Sequence, residues 1–153
     1  EGRPTEDLPP VHKERHITIH RQAALVRDVT QVAAASKLGD HTTLDARGAP
    51  RFKGQEPEPR EGLRSGHIPN SQNIPYKSVL NTDGTMKSVS DLREMFHDAK
   101  VDLTKPVITT CGSGVTAAIL SLALERIGNR NHSLYDGSWA EWGQFDQLAV
   151  ETG

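Results

Sequence analysis

An α/β domain with a mostly parallel sheet and helices on both faces is the fold class this sequence predicts, and three observations predict it. Short β-branched or apolar runs alternate along the chain with stretches of helical spacing. The sharpest instance is Val107-Ile108-Thr109-Thr110-Cys111-Gly112-Ser113-Gly114-Val115-Thr116-Ala117-Ala118-Ile119-Leu120. There a β-branched run bounded by Pro106 passes through a Gly/Ser loop into an Ala/Leu run, which reads as strand, tight loop and helix. Finally, 153 residues suit one domain, and a chain of that size buries roughly 68–70% of the surface its unfolded form exposes, enough for a core without staples.

Residues 1–20 are rich in proline and charge, with Pro4, Pro9 and Pro10 ahead of Val11-His12-Lys13-Glu14-Arg15-His16. Few apolar side chains lie there to offset ordering entropy, so the stretch reads as a linker or arm, with Ile17, Ile19 and Leu25 anchoring its end and the domain proper spanning 21–153. A helix follows from Asp28, capped by Asp28 or Thr30, with Val29, Val32, Ala33 and Leu38 on one face and Gly39 as its stop. Residues 41–46 form a core strand ending near Asp45 and Arg47. The two prolines, two glycines and alternating charge of residues 51–62 exclude helix and central strand, which leaves a long surface loop. Beyond a turn at 66–71, a short strand forms around Asn73 and Ile74, a helical turn spans 76–80, and residues 81–84 turn again. Ser90 caps a helix that buries Leu92, Met95 and Phe96. Residues 115–127 are the helix after the central loop, ended by Gly128; residues 133–135 are the last strand, and Ser138 caps a final helix carrying Trp139 and Trp142. That pair, three residues apart, belongs to the core.

Cys111 is the protein's only cysteine and sits where the central strand ends, at a strand-to-helix switch of the kind where α/β proteins bind ligands. Loop glycines let consecutive N–H groups turn inward, and the first turn of the next helix adds further partial positive charge. A thiolate is the form they favour. An ordinary cysteine near pKa ~8.5 is only about 3% ionised at neutral pH, whereas helix N-terminal cysteines fall to roughly 3.5–7.5. The plainer alternative, a small buried hydrophobe, needs no Gly-Ser-Gly loop. In the long loop, Arg51 and Arg60 point to a small organic anion, because a planar guanidinium grips a carboxylate bidentately. Surface ion pairs with Glu56, Glu58 and Glu61 are the competing reading.

Composition excludes several functions. Lys and Arg number 18 against 20 Asp and Glu, for a net charge of −2 with both signs interspersed, so nothing asks for nucleic acid or an anionic membrane. No apolar stretch approaches the ~20 residues of a membrane span, and the first twenty residues are too charged for a signal peptide. One cysteine permits no internal disulfide, and the seven scattered histidines show no zinc spacing, so no metal is expected.

The order Leu44-Asp45-Ala46-Arg47, Gly66-His67-Ile68-Pro69, Cys111-Gly112-Ser113-Gly114-Val115-Thr116-Ala117 and Tyr135-Asp136-Gly137-Ser138-Trp139 resembles the rhodanese-fold sulfurtransferases. More narrowly, it is similar to the catalytic C-terminal half of the mercaptopyruvate sulfurtransferases, from about residue 44 to residue 143. The resemblance implies a rhodanese-like fold, no cofactor, and a cytoplasmic or alternatively mitochondrial setting. It implies that the Cys111 thiolate takes sulfur from mercaptopyruvate, releases pyruvate, and passes the sulfur from a persulfide to thioredoxin, a small thiol or cyanide. Backbone groups of Gly112, Ser113, Gly114, Val115 and Thr116 cradle the persulfide, Arg51 and Arg60 meet the carboxylate and keto oxygen, and Ser113 assists proton transfer. Thr116 either bonds within the loop or caps the helix. Asp45 with Arg47, and His67, are read as scaffold.

Thiosulfate-using relatives place basic residues directly after the cysteine, where this chain has Gly112 and Ser113, so the resemblance favours mercaptopyruvate over thiosulfate. The pattern Gly-His-Ile-Pro-Gly ends here in Asn70, which tolerates a left-handed turn. Because these enzymes carry two rhodanese-like domains with the site at their interface, an N-terminal partner domain is expected, with residues 1–20 as the connector. A phosphatase reading fails for want of an arginine six positions past the cysteine, where Ala117 stands. A non-catalytic persulfide carrier is the rival from another class, and it has no use for a pair of carboxylate-binding arginines.

Overall fold

The computed structural model describes residues 2, 5, 7–9 and 14–153; the Pro10-Val11-His12-Lys13 part of the expected arm, with Glu1, Arg3, Pro4 and Glu6, lies outside them. In chain order the elements are β1 (Val26–Arg27), α1 (Val29–Leu38), β2 (Thr42–Asp45), α2 (Ala49–Phe52), β3 (Ser71–Asn73), α3 (Val89–Asp98), β4 (Val107–Thr110), α4 (Val115–Arg126), β5 (His132–Tyr135) and α5 (Ser138–Trp142). Two 3₁₀ turns, Ala23–Leu25 and Tyr76–Val79, complete them. The strands form one sheet in the order β1-β5-β4-β2-β3, and every pairing is parallel.

The pleat of β4 shows how the two layers arise, since successive side chains point to opposite faces. Val107 enters a core with Leu92 and Phe96 of α3 and Leu120 and Leu124 of α4. Ile108 enters the other, with Val32 and Ala35 of α1 and Trp139 and Trp142 of α5. Helices therefore cover both faces, as the alternation predicts, and each fully buried Leu, Ile or Phe contributes about 1.5–3 kcal/mol. Both tryptophans are core residues.

Order along the chain also fixes where a ligand fits. From β2 the chain moves outward to β3 on one side, and from β4 it moves outward to β5 on the other, so β2 and β4 flank the topological switch point. In open α/β sheets the crevice beyond the carboxyl ends of such a strand pair is the binding place. Cys111 leaves the end of β4, and Asp45 closes β2.

Several local expectations are corrected. Ile17 and Ile19 anchor nothing, being 78% and 86% exposed, and Leu25 is also exposed. Leu38, at 72% exposure, lies about 240° round α1 from Val32 and so faces away from the core. That helix does start at Asp28, whose carboxylate accepts the Gln31 N–H while the Gln31 side chain accepts the Asp28 N–H, and it stops at Gly39 with φ +66°. Ser88, not Ser90, caps α3, accepting the Asp91 N–H. Arg51 and Phe52 belong to the one-turn helix α2 and not to a loop, because Pro50 sits in its first turn, where a missing N–H costs nothing. Ser138 does not cap α5: it is the helix's first residue, at φ +51°, with Gly137 before it. β1 is an edge strand two residues long, too short to leave a pattern in the sequence.

Candidate active site

Cys111 is 1% exposed and belongs to the core face of α4, yet it also forms part of the floor of a cavity of about 190 Å³ together with Arg47, Arg51, Tyr76, Ser113 and Thr116. Burial pushes its thiol pKa up; the Thr116 hydroxyl and the backbone N–H groups of Ser113, Ala117 and Thr116 outweigh burial and hold the thiol below its usual value. Ala117, a residue beyond the expected cradle, contributes one of these N–H groups. Thr116 bonds the sulfur, and Gly114, just ahead of α4, leaves that helix with no side-chain cap.

The loop keeps its shape for identifiable reasons. Gly114 has φ +83°, and a Cβ there would lie 2.9 Å from the Asp136 carbonyl oxygen, so only glycine fits without displacement. From below, α5 braces the loop: the Trp139 and Ala140 N–H groups donate to the carbonyls of Cys111 and Gly112, both at 2.9 Å. The buried Ser138 hydroxyl accepts the Cys111 N–H at 3.2 Å and donates to the Tyr135 carbonyl at 2.8 Å. Ser138 is a residue that sequence reasoning took for a helix cap.

A second cavity, about 220 Å³, adjoins the first and shares Arg51, Gly112 and Ser113 with it; Glu58 and Arg60 line it as well. The fold therefore gathers Cys111, Ser113, Arg51, Gly112, Val115 and Thr116 around the first space and adds Arg60 through the second. Gly114 lines neither. The Arg51 guanidinium lies over Gly112, where a Cβ would be 3.0 Å from Nη2, so a side chain at 112 would press on it. Arg60 is exposed and has no ion-pair partner among the described residues.

Glu58 pairs with Arg51, as the competing reading of the loop had it, but through a buried carboxylate and not as a solvated surface contact. Its side chain is only 2% exposed, and it links two arginines: Oε1 accepts from Arg47 Nη1 at 2.8 Å, and Oε2 accepts from Arg51 Nη2 at 2.5 Å. Arg47 is in turn paired with the buried Asp45 at 2.7 Å, donates to the Gly66 carbonyl, and lies 4.4 Å over the Trp139 ring. The prolines on either side, Pro57 and Pro59, are the signal that could have found it, because they fix the backbone of a residue that must hold one position. Asp45 and Arg47 form the structural pair expected of them. His67 is scaffold too, donating from Nδ1 to the Phe52 carbonyl at 2.8 Å and stacking on the Phe52 ring at 3.8 Å. Asn70 adopts the left-handed turn at φ +61°. Arg64, another residue the sequence did not mark, ties the end of α5 by donating to the carbonyls of Trp142, Gly143, Phe145 and Leu148.

A profile of the rhodanese-like domain matches residues 28–145. The chain is 48% identical over 99 residues to 3-mercaptopyruvate sulfurtransferase of Homo sapiens, covering 65% of this chain and 33% of that protein. It is 39% identical over 153 residues to thiosulfate sulfurtransferase of Cricetulus griseus, covering 99% of this chain and 51% of that protein. Among solved structures, SseA of Escherichia coli, a 3-mercaptopyruvate sulfotransferase, superposes with a TM-score of 0.69 at 37% identity, covering 81% of this chain and 45% of that one. The chain spans between one third and about one half of the length of such curated relatives.

Proposed function

The chain belongs to the rhodanese-like domain family, and from that membership we propose that it is the catalytic half of a sulfurtransferase that moves the sulfur of mercaptopyruvate to an acceptor thiol through a Cys111 persulfide. One observation carries the reading: a sulfur held below its usual pKa by inward-facing donors lines a cavity with Arg51, and the adjoining cavity, which shares Arg51, Gly112 and Ser113, adds Arg60. A keto acid bearing a thiol is the ligand that uses both parts.

In the first step the Cys111 thiolate attacks the substrate sulfur, a sulfur–sulfur bond forms, and the carbon–sulfur bond breaks with its electron pair on carbon. The product is the enolate of pyruvate. The proton from the substrate thiol passes to that carbon, with the Ser113 hydroxyl, at the junction of the two cavities, as the relay. Arg51 and Arg60 hold the carboxylate and keto oxygen, and the donors around Cys111, with the Gly112 to Thr116 backbone, stabilise the anionic persulfide. An acceptor thiolate, from thioredoxin or a small thiol, then attacks the outer sulfur and Cys111 leaves as thiolate, ready for another turn.

An N-terminal rhodanese-like domain completes the cleft, and residues 1–20 are the connector to it, in keeping with the share of its relatives that this chain spans. The cytoplasm or a mitochondrion supplies the reducing setting that such a thiol needs. Thiosulfate is the second reading, favoured by the match along nearly the whole chain to the Cricetulus griseus protein.

The test mixes the protein with mercaptopyruvate and dithiothreitol and follows pyruvate and sulfide, and intact mass after exposure to mercaptopyruvate without the dithiol reports whether one sulfur atom is gained. Turnover above a Cys111→Ser control and a one-sulfur gain are expected. No turnover above the Cys111→Ser control, even with a partner domain restored, leaves a persulfide carrier in place of an enzyme.

A further inference from the structure

We infer that Glu58 sets the charge of the anion-binding cleft and thereby selects singly charged over doubly charged ligands of the size of a keto acid. The inference rests on the reading above in one respect, that Arg51 and Arg60 are the anion's partners. The charged groups lining the outer cavity are Arg51, Arg60 and Glu58, two positive and one negative. Arg47 does not alter that balance, since Asp45 already neutralises it through a doubly hydrogen-bonded pair.

Glu58 is a built part of the site and no chance surface partner. Its side chain is 2% exposed, whereas that of Arg51 is 27% exposed and open to the cleft. Both oxygens are committed, Oε1 to Arg47 Nη1 and to Arg51 Nε, Oε2 to Arg51 Nη2. Arg51 is thereby fixed against Gly112 with part of its charge already answered, while its remaining N–H groups stay free for a ligand. Arg60, without an ion-pair partner among the described residues, supplies the single unanswered charge. One carboxylate satisfies it. A second negative charge on the ligand faces the Glu58 carboxylate and the Cys111 thiolate with nothing left to oppose them.

The test uses the full chain and needs no turnover. Cys111 is alkylated with neutral iodoacetamide in the presence of pyruvate or oxalate, two anions of similar size and shape that differ by one charge, at constant ionic strength. Each half-protecting concentration is taken relative to the same variant's anion-free rate, so a change in thiol reactivity does not enter. In the unaltered protein pyruvate protects at lower concentration than oxalate. In Glu58→Gln the preference moves toward oxalate by about tenfold, the effect of removing one charge close to the ligand. Glu58→Asp, which keeps the charge while disturbing the packing, holds the original preference. An unchanged ratio in Glu58→Gln, or an equal shift in Glu58→Asp, overturns the inference and leaves the arginine clamp standing. Oxalate protecting better than pyruvate in the unaltered protein overturns it without any variant. Protection by neither anion removes the clamp, and with it both readings.

Discussion

At Cys111 two opposed effects meet, and their balance decides reactivity. Burial favours the neutral thiol, and the Thr116 hydroxyl with three backbone N–H groups favours the thiolate strongly enough to win. Replacing Thr116 by Val removes one hydrogen bond to a charged group while keeping the shape. The pH midpoint of Cys111 alkylation should rise by about one unit, read from rate against pH. The same balance links to stability. Since the folded thiol releases its proton at lower pH than the unfolded one, the unfolded chain binds more protons between the two values, and stability rises with pH across that window. It is fully present above the unfolded value and lost as pH falls through the folded one. Denaturant titrations of Cys111→Ser should lack this rise. The cysteine was legible because its loop announces it; Glu58 was not, because its flanking prolines mark only a fixed backbone, while the ion-pair partners of its carboxylate follow from which segments meet in space.

Among the elements, α5 has a purpose its sequence conceals. Five residues long, it buries two tryptophans and turns its first N–H groups toward the carbonyls of Cys111 and Gly112. Ser138, held at positive φ, bridges the Cys111 N–H to the end of β5. Ser138→Ala leaves that buried N–H without an acceptor and should destabilise the protein by about 1–3 kcal/mol, measured by urea unfolding, while slowing Cys111 alkylation. Alternation of strand and helix made α1, α3 and α4 readable. The short pieces were harder: α2 was hidden by a proline that is harmless in a first helical turn, and β1 offers two residues where periodicity needs several.

For the molecule as a whole, the switch point between β2 and β4 joins core to cleft. The line Asp45, Arg47, Glu58, Arg51 runs from the end of a buried strand to the arginine beside the reactive loop, and its inner members are almost fully shielded from water. Such a line is costly to cut because each removal strands a buried charge. Asp45→Ala should destabilise by about 3 kcal/mol in urea unfolding, more than a surface carboxylate of the same type. Spacing in the sequence foretold that a sheet with helices on both faces would form, and that Cys111 would stand at a strand's carboxyl end.

By itself the sequence determined the layered α/β architecture and the place of the cysteine in its glycine loop, and it singled out Arg51 and Arg60 as candidates for an anion, because these depend on local periodicity, turn chemistry and side-chain type. The tertiary structure alone decided which amides reach the sulfur, that Ser138 braces the loop, and that Glu58 joins Arg47 to Arg51. Those are contacts between segments far apart along the chain, and the parallel crossovers that bring them together set distances that no local pattern encodes.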